Sequence, residues 1–211
     1  MNKKYVYILF FTTTTGIGKM IRAVTNYKYN HVTFSLDKNL DNMYSFSRYK
    51  KNVPFVGGFT QESKLRYAGD NRVKIKVCKI EVSKQKYNDI KQYIKELESN
   101  HDEYLYNLFS AVTFPLKKQV KIKNSYICVE FVMHLVNKFK LVENFDENRF
   151  YTIKEFDNLL SDKCIYEGDF DNYIKSANKW ANDNYPEEES ITEATIDTIK
   201  QMKKLIKKTH E

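Results

Sequence analysis

Asn124-Ser125-Tyr126-Ile127-Cys128-Val129-Glu130-Phe131-Val132 is the stretch on which the reading of this chain turns. Phe131, Leu135 and Val136 recur at helical spacing beside Val132 and Phe139, which predicts an amphipathic helix to about residue 138. With Ser125 as its N-cap, Cys128 falls at the third helical position. A thiol in that first turn faces unpaired backbone N–H groups and the positive end of the helix dipole, a setting that favours the thiolate. Taken alone, a free cysteine more often packs as a small hydrophobe. Cys78 alternates within a predicted strand and Cys164 lies in a polar segment, so neither shares the helix N-terminus of Cys128.

Outward from this helix the chain divides cleanly. Tyr5-Val6-Tyr7-Ile8-Leu9-Phe10-Phe11 reads as a buried strand that ends at four threonines, and Gly16-Ile17-Gly18-Lys19 leads into a short helical stretch over residues 20–25. Gly16 to Lys19 fails as a phosphate-binding loop: Thr13 stands where that loop needs Gly, and Met20 replaces the Mg-binding hydroxyl. His31-Val32-Thr33-Phe34-Ser35-Leu36 and Met43-Tyr44-Ser45-Phe46-Ser47-Arg48 alternate on either side of a turn-rich segment and predict a hairpin. Matching their apolar residues sets Thr33 and Ser35 opposite Ser47 and Ser45, with His31 on the face of both serines. Residues 72–80 read as a further strand, in a sheet expected to be antiparallel. Ser83 caps a helix to about residue 98, with Tyr87, Ile90, Ile94 and Leu97 as its apolar stripe; a second helical stretch covers residues 104–112. Past Pro186, Ser190-Ile191-Thr192-Glu193 fits a capping box for a helix to about residue 208, which docks on the main domain or on a second copy as a homodimer.

Composition narrows the function classes. A chain of 211 residues buries roughly 70% of its unfolded surface, so one core stabilises it without disulfide or metal staples. Six Gly and three Pro exclude a disordered or collagen-like chain, and three cysteines with no CxxC disfavour a disulfide scaffold or zinc ribbon. No apolar run approaches the roughly 18 residues of a membrane helix. The N-terminal run is short for a signal peptide and lacks a small-residue cleavage site, which points to the cytoplasm. The net charge of +8 is spread out, apart from lysines at 117–123 and 200–208. With no recognition-helix or base-stacking motif, a nucleic-acid partner is disfavoured. HExxH is absent and no cluster has ligand spacing, so neither a metal nor another cofactor is implied.

The order of these elements resembles a known superfamily. A strand, a helical stretch, Tyr29-Asn30-His31-Val32 opening a strand, Met43 to Arg48, Gly57-Gly58-Phe59, and Tyr126 to Val132 opening a helix are similar to the circularly permuted papain-like, NlpC-type cysteine hydrolases, including YiiX-like proteins. Residues 152–173, with Tyr166-Glu167-Gly168, resemble the C-terminal part of such bacterial proteins. The chain departs from many relatives in having Val129 after the Cys and Asn30 before the His, where they carry Ser. The resemblance implies an α+β fold in which an antiparallel sheet packs against the Cys128 helix on the His31 side, with residues 1–175 as catalytic domain and 176–211 as a helical extension. It implies Cys128 as nucleophile and His31 as general base of a hydrolase or acyltransferase that acts on a peptide, amide or lipid-ester substrate through a thioester.

Such an imidazole needs an acceptor at its second nitrogen. Ser47 is the same-face candidate chosen from the hairpin argument, with Ser45 one pleat further on and Glu62 able to reach in from the loop after Gly57-Gly58. The competing readings are a non-catalytic binding module of the same fold and, more remotely, a basic nucleic-acid-binding protein.

Overall fold

The computed structural model describes residues 3–50, 53, 55–174, 188 and 190–209. Its architecture is α+β: one mixed eight-stranded sheet and, among the described residues, seven α-helices. The strands are β1 (Lys4–Thr12), β2 (His31–Ser35), β3 (Met43–Arg48), β4 (Gly57–Gln61), β5 (Lys74–Val82), β6 (Leu105–Tyr106), β7 (Ser125–Tyr126) and β8 (Cys164–Asp169), in the order β7-β6-β4-β3-β2-β1-β5-β8. The helices are α1 (Gly16–Thr25), α2 (Lys84–Ser99), α3 (Leu108–Thr113), α4 (Cys128–Lys138), α5 (Ile153–Leu159), α6 (Phe170–Ile174) and α7 (Ile191–Lys208). Every strand pair is antiparallel except β6–β7, where the chain leaves through α3 and returns in the same direction. The expectation of a wholly antiparallel sheet fails at that short edge.

Each face of the sheet carries its own core. Val6, Ile8, Phe10, Val32, Phe34, Phe46, Phe59 and Ile80 face α2 and α4, which contribute Ile90, Ile94 and Leu97, and Phe131, Val132, Leu135 and Val136. Tyr7, Leu9, Phe11, Met43, Ile75 and Val77 project from the other face and pack with Tyr67 and Phe170. The apolar stripe of α2 and its Ser83 cap, which accepts from the Lys86 N–H at 3.1 Å, are as the sequence predicts.

Several local expectations change. The hairpin pairs Phe34 with Tyr44 and Ser35 with Met43, two residues from the expected register. The turn sets it: the Asp37 carboxylate accepts from the N–H groups of Asp41 and Asn42, and the Leu36 N–H closes onto the Asn42 carbonyl at 3.0 Å. An even shift keeps side-chain parity, so His31 still shares its face with Ser45 and Ser47. The segment expected as one helix over 104–112 splits into β6 and α3, because Asn107 caps α3 by accepting from the Ser110 N–H at 3.0 Å. The C-terminal helix begins at its Ser190 capping box and docks on the domain itself. Leu205 is buried with Leu105 and Ile122, and Gln201 accepts from the Gly57 N–H at 3.0 Å. The domain boundary placed between residues 175 and 176 lies outside the described residues.

Candidate active site

The helix carrying Cys128 starts later than its sequence suggests. Ser125 lies in β7, the N-cap is Ile127, and Cys128 is the first residue of α4. Ile127 has no side-chain acceptor; instead Glu130 reaches back and accepts from the Ile127 N–H at 2.9 Å. The N–H groups at the head of the helix are therefore left without a side-chain cap beside the sulfur.

His31 opens β2 opposite Phe11 of β1. Its ring lies 6.2 Å from that of Phe11 and 6.4 Å from that of Tyr67, both belonging to the core on the face away from α4. The Cys128 helix thus packs on the Val32 and Phe34 face, not on the His31 face as expected. Thiol and imidazole line the same cavity, beyond the last recorded β2–β3 pair, and the sulfur acts electrostatically on the ring.

The second imidazole nitrogen belongs to Glu62. Its side chain is fully buried, and Oε1 accepts from His31 Nε2 at 2.8 Å. A carboxylate only accepts, so Nε2 carries the proton and Nδ1 is left for the thiol. Ser45 Oγ donates to the same Oε1, Arg66 Nη1 lies 3.3 Å from it, and the Tyr67 hydroxyl donates to Oε2. Ser47, the residue chosen from sequence, is not the partner of the imidazole. Its hydroxyl accepts from Arg66 Nη1 at 2.7 Å, while Arg66 Nη2 donates to the Arg48 carbonyl. Ser47 therefore fixes Arg66, which in turn neutralises Glu62.

Charge follows from this arrangement. Burial alone would lower the His31 pKa, but the Glu62 carboxylate and the Cys128 sulfur outweigh it and raise it to about 10. Burial would likewise raise the Glu62 pKa, yet His31 and Arg66 hold this carboxyl well below the usual carboxylate range. Burial, then the neighbouring Glu62 charge, keeps the Tyr67 phenol neutral and able to donate. Cys78, by contrast, is fully buried and pushed up to about 12 by desolvation. That is the environment of a packing cysteine.

A cavity of about 140 Å³ opens in front of the pair, with Cys128, His31, Thr13, Asn30, Arg48 and Tyr106 among its walls. Asn30 secures the threonine wall: its Oδ1 accepts from the Thr13 N–H at 2.7 Å and its Nδ2 donates to Thr13 Oγ1 at 2.9 Å. Gly18 lets α1 settle there, since a Cβ at this position would stand 2.1 Å from Asn30 Nδ2. The asparagine before the histidine thus shapes the cleft. Tyr106, at the end of β6, had no motif to mark it. Burial first, with Cys128 and Glu130 nearby, pushes its phenol pKa up and holds it neutral. Among the described residues no group of three or more His, Cys, Asp or Glu side chains is arranged to hold a metal.

Comparison with family models, with curated proteins and with solved structures returns no match to this chain.

Proposed function

We propose that the protein is a thiol hydrolase or acyltransferase of the permuted papain-like, NlpC type, with Cys128 as nucleophile, His31 as acid–base and Glu62 as the residue that orients and charges the imidazole. The observation that carries this reading is the His31 ring, bonded through Nε2 to a buried carboxylate, on the wall of the cavity that Cys128 also lines. A nucleophile and a base at one cavity, the base bonded to an orienting carboxylate, is the set of groups that acyl transfer through cysteine requires.

The chemistry runs through these groups alone. The Cys128 thiolate attacks the carbonyl carbon of an amide or ester, and the carbonyl oxygen takes up the negative charge facing the uncapped N–H groups of α4. Collapse breaks the carbon–nitrogen or carbon–oxygen bond while His31 gives its proton to the leaving amine or alcohol. A thioester on Cys128 remains. Neutral His31 then takes a proton from water or from an acceptor alcohol or amine, whose oxygen or nitrogen attacks the thioester; the released thiolate pairs again with the imidazolium.

Site-resolved iodoacetamide alkylation of the native protein tests the assignment. Cys128 should be modified at least tenfold faster than Cys164, the more accessible of the other two thiols, and His31→Ala should remove the difference. Equal rates in the native protein, or a Cys128 indifferent to His31, would overturn it.

A further inference from the structure

Beyond this reaction, we propose that the surface formed by α1, which walls the cleft, and the α3 segment that touches it is a docking surface for an anionic lipid bilayer. Two helical pieces meet there. α1 carries Met20 and Val24 on one face, 60% and 58% exposed. The turn after α3, in contact with α1, carries Leu116 at 70%, and α3 itself Val112 at 76%. These are the most exposed large apolar side chains of the described chain apart from Ile191, and none of the described elements covers them. Apolar residues clustered in this way mark an interaction surface.

The charge around them identifies the occupant. No acidic residue occurs before Asp37, and none occurs in residues 104–129, although the chain has 27. Those same two segments hold, near the apolar tips, Lys19, Lys117, Lys118, Lys121 and Lys123, all exposed and none in an ion pair among the described residues; Lys3 and Lys28 of the first segment pair with Glu81 and Glu167. Unpaired lysines ringing apolar tips complement lipid headgroups above acyl chains, and stable membrane attachment takes both signals together. A protein partner with an apolar ridge would match the tips but not the absence of carboxylates over both segments.

The surface lies beside the chemistry. Thr13, Thr14, Gly18 and Ile21 of the first segment line the Cys128 cavity, where the one carboxylate among the described residues, Asp70, is neutralised by Arg72 and accepts from Thr14 Oγ1 at 2.8 Å. Docking would bring the mouth of the cleft to the headgroup level. Among the described residues no helix is long and apolar enough to cross a membrane, so the attachment is peripheral.

Sedimentation of the full chain with vesicles tests this surface, and catalysis is not needed for the readout. The chain should bind phosphatidylcholine vesicles containing 30% phosphatidylserine at least tenfold better than phosphatidylcholine alone. Binding should weaken as salt is raised from 0.1 to 1 M, as the screening length falls from about 10 to 3 Å. Val112→Glu with Leu116→Glu should abolish it without altering the far-UV circular dichroism, and so should Lys117→Glu with Lys118→Glu. Cys128→Ala should bind like the unsubstituted chain, which separates this surface from the hydrolase assignment. No preference for the anionic vesicles, binding that survives both double substitutions, or a homodimer that the Val112/Leu116 substitutions dissociate would each overturn the proposal; the last would assign the face to a second copy.

Discussion

Replacing Glu62 with Gln isolates the charge in the triad from its geometry. Gln is nearly isosteric and its Oε1 still accepts from His31 Nε2, so the 2.8 Å contact can persist while the negative charge is lost. An opposite charge in close contact moves a pKa by about 1–3 units, and each unit corresponds to about 1.4 kcal/mol. His31, held at about 10 in the intact site chiefly by Glu62 against the pull of burial, should therefore fall to about 7–9 in Glu62→Gln. The assay is a pH titration of the His31 ring by NMR, with the other three histidines as internal references. The same variant leaves the Arg66 guanidinium facing a neutral amide in a buried setting, so a loss of stability of about 3–5 kcal/mol should accompany the shift. A His31 pKa that moves by less than about half a unit would refute the assignment of Glu62 as the group that charges the imidazole.

The same pair makes stability depend on pH. His31 has a folded pKa raised above its unfolded value, so its contribution is complete below about pH 6.5 and disappears as pH rises towards 10. Glu62 is lowered, so its contribution is complete above about pH 4.5 and lost on acidification. The difference in melting temperature between the native protein and Glu62→Gln should peak between about pH 4.5 and 6.5; a difference that stays flat from pH 6.5 to 10 would contradict this. Ser47→Ala, which removes an acceptor from Arg66 only, should cost about 1–3 kcal/mol in denaturant titrations and leave the His31 titration within half a unit. Gly18→Ala should destabilise by about 1–3 kcal/mol and slow Cys128 alkylation, because α1 must back away from Asn30 and Thr13; unchanged stability would show that the cleft wall is looser than described.

What the sequence disclosed follows from how local each signal is. The Ser190 and Thr152 caps and the stripe of α2 depend on residues three or four apart, and the first and last were legible at once. The Thr152 capping box is equally local, and only attention to Glu155 was needed to read it. β6 and β7, two residues each, have no periodicity to detect and exist because neighbouring strands supply their partners. Glu62 was visible only as an alternative, since its role depends on β4. Pairing Gln61 with Tyr44 carries the chain on until the Glu62 N–H meets the Met43 carbonyl at 2.7 Å, which turns the carboxylate to the Ser45 face. Laying β4 antiparallel against β3 before choosing the third residue was the inference that would have found it. The helix start failed for a different reason: Ser125 is a good cap by type, but it is committed to the sheet through Leu105.

The sheet is also a partition, with the imidazole rooted in one apolar core and the helix bearing the thiol in the other. Neither half of the protein holds a working pair. Under the proposed function, the pairing of thiol and imidazole requires both layers to have closed on the strands, so alkylation at Cys128 should track completion of the whole fold.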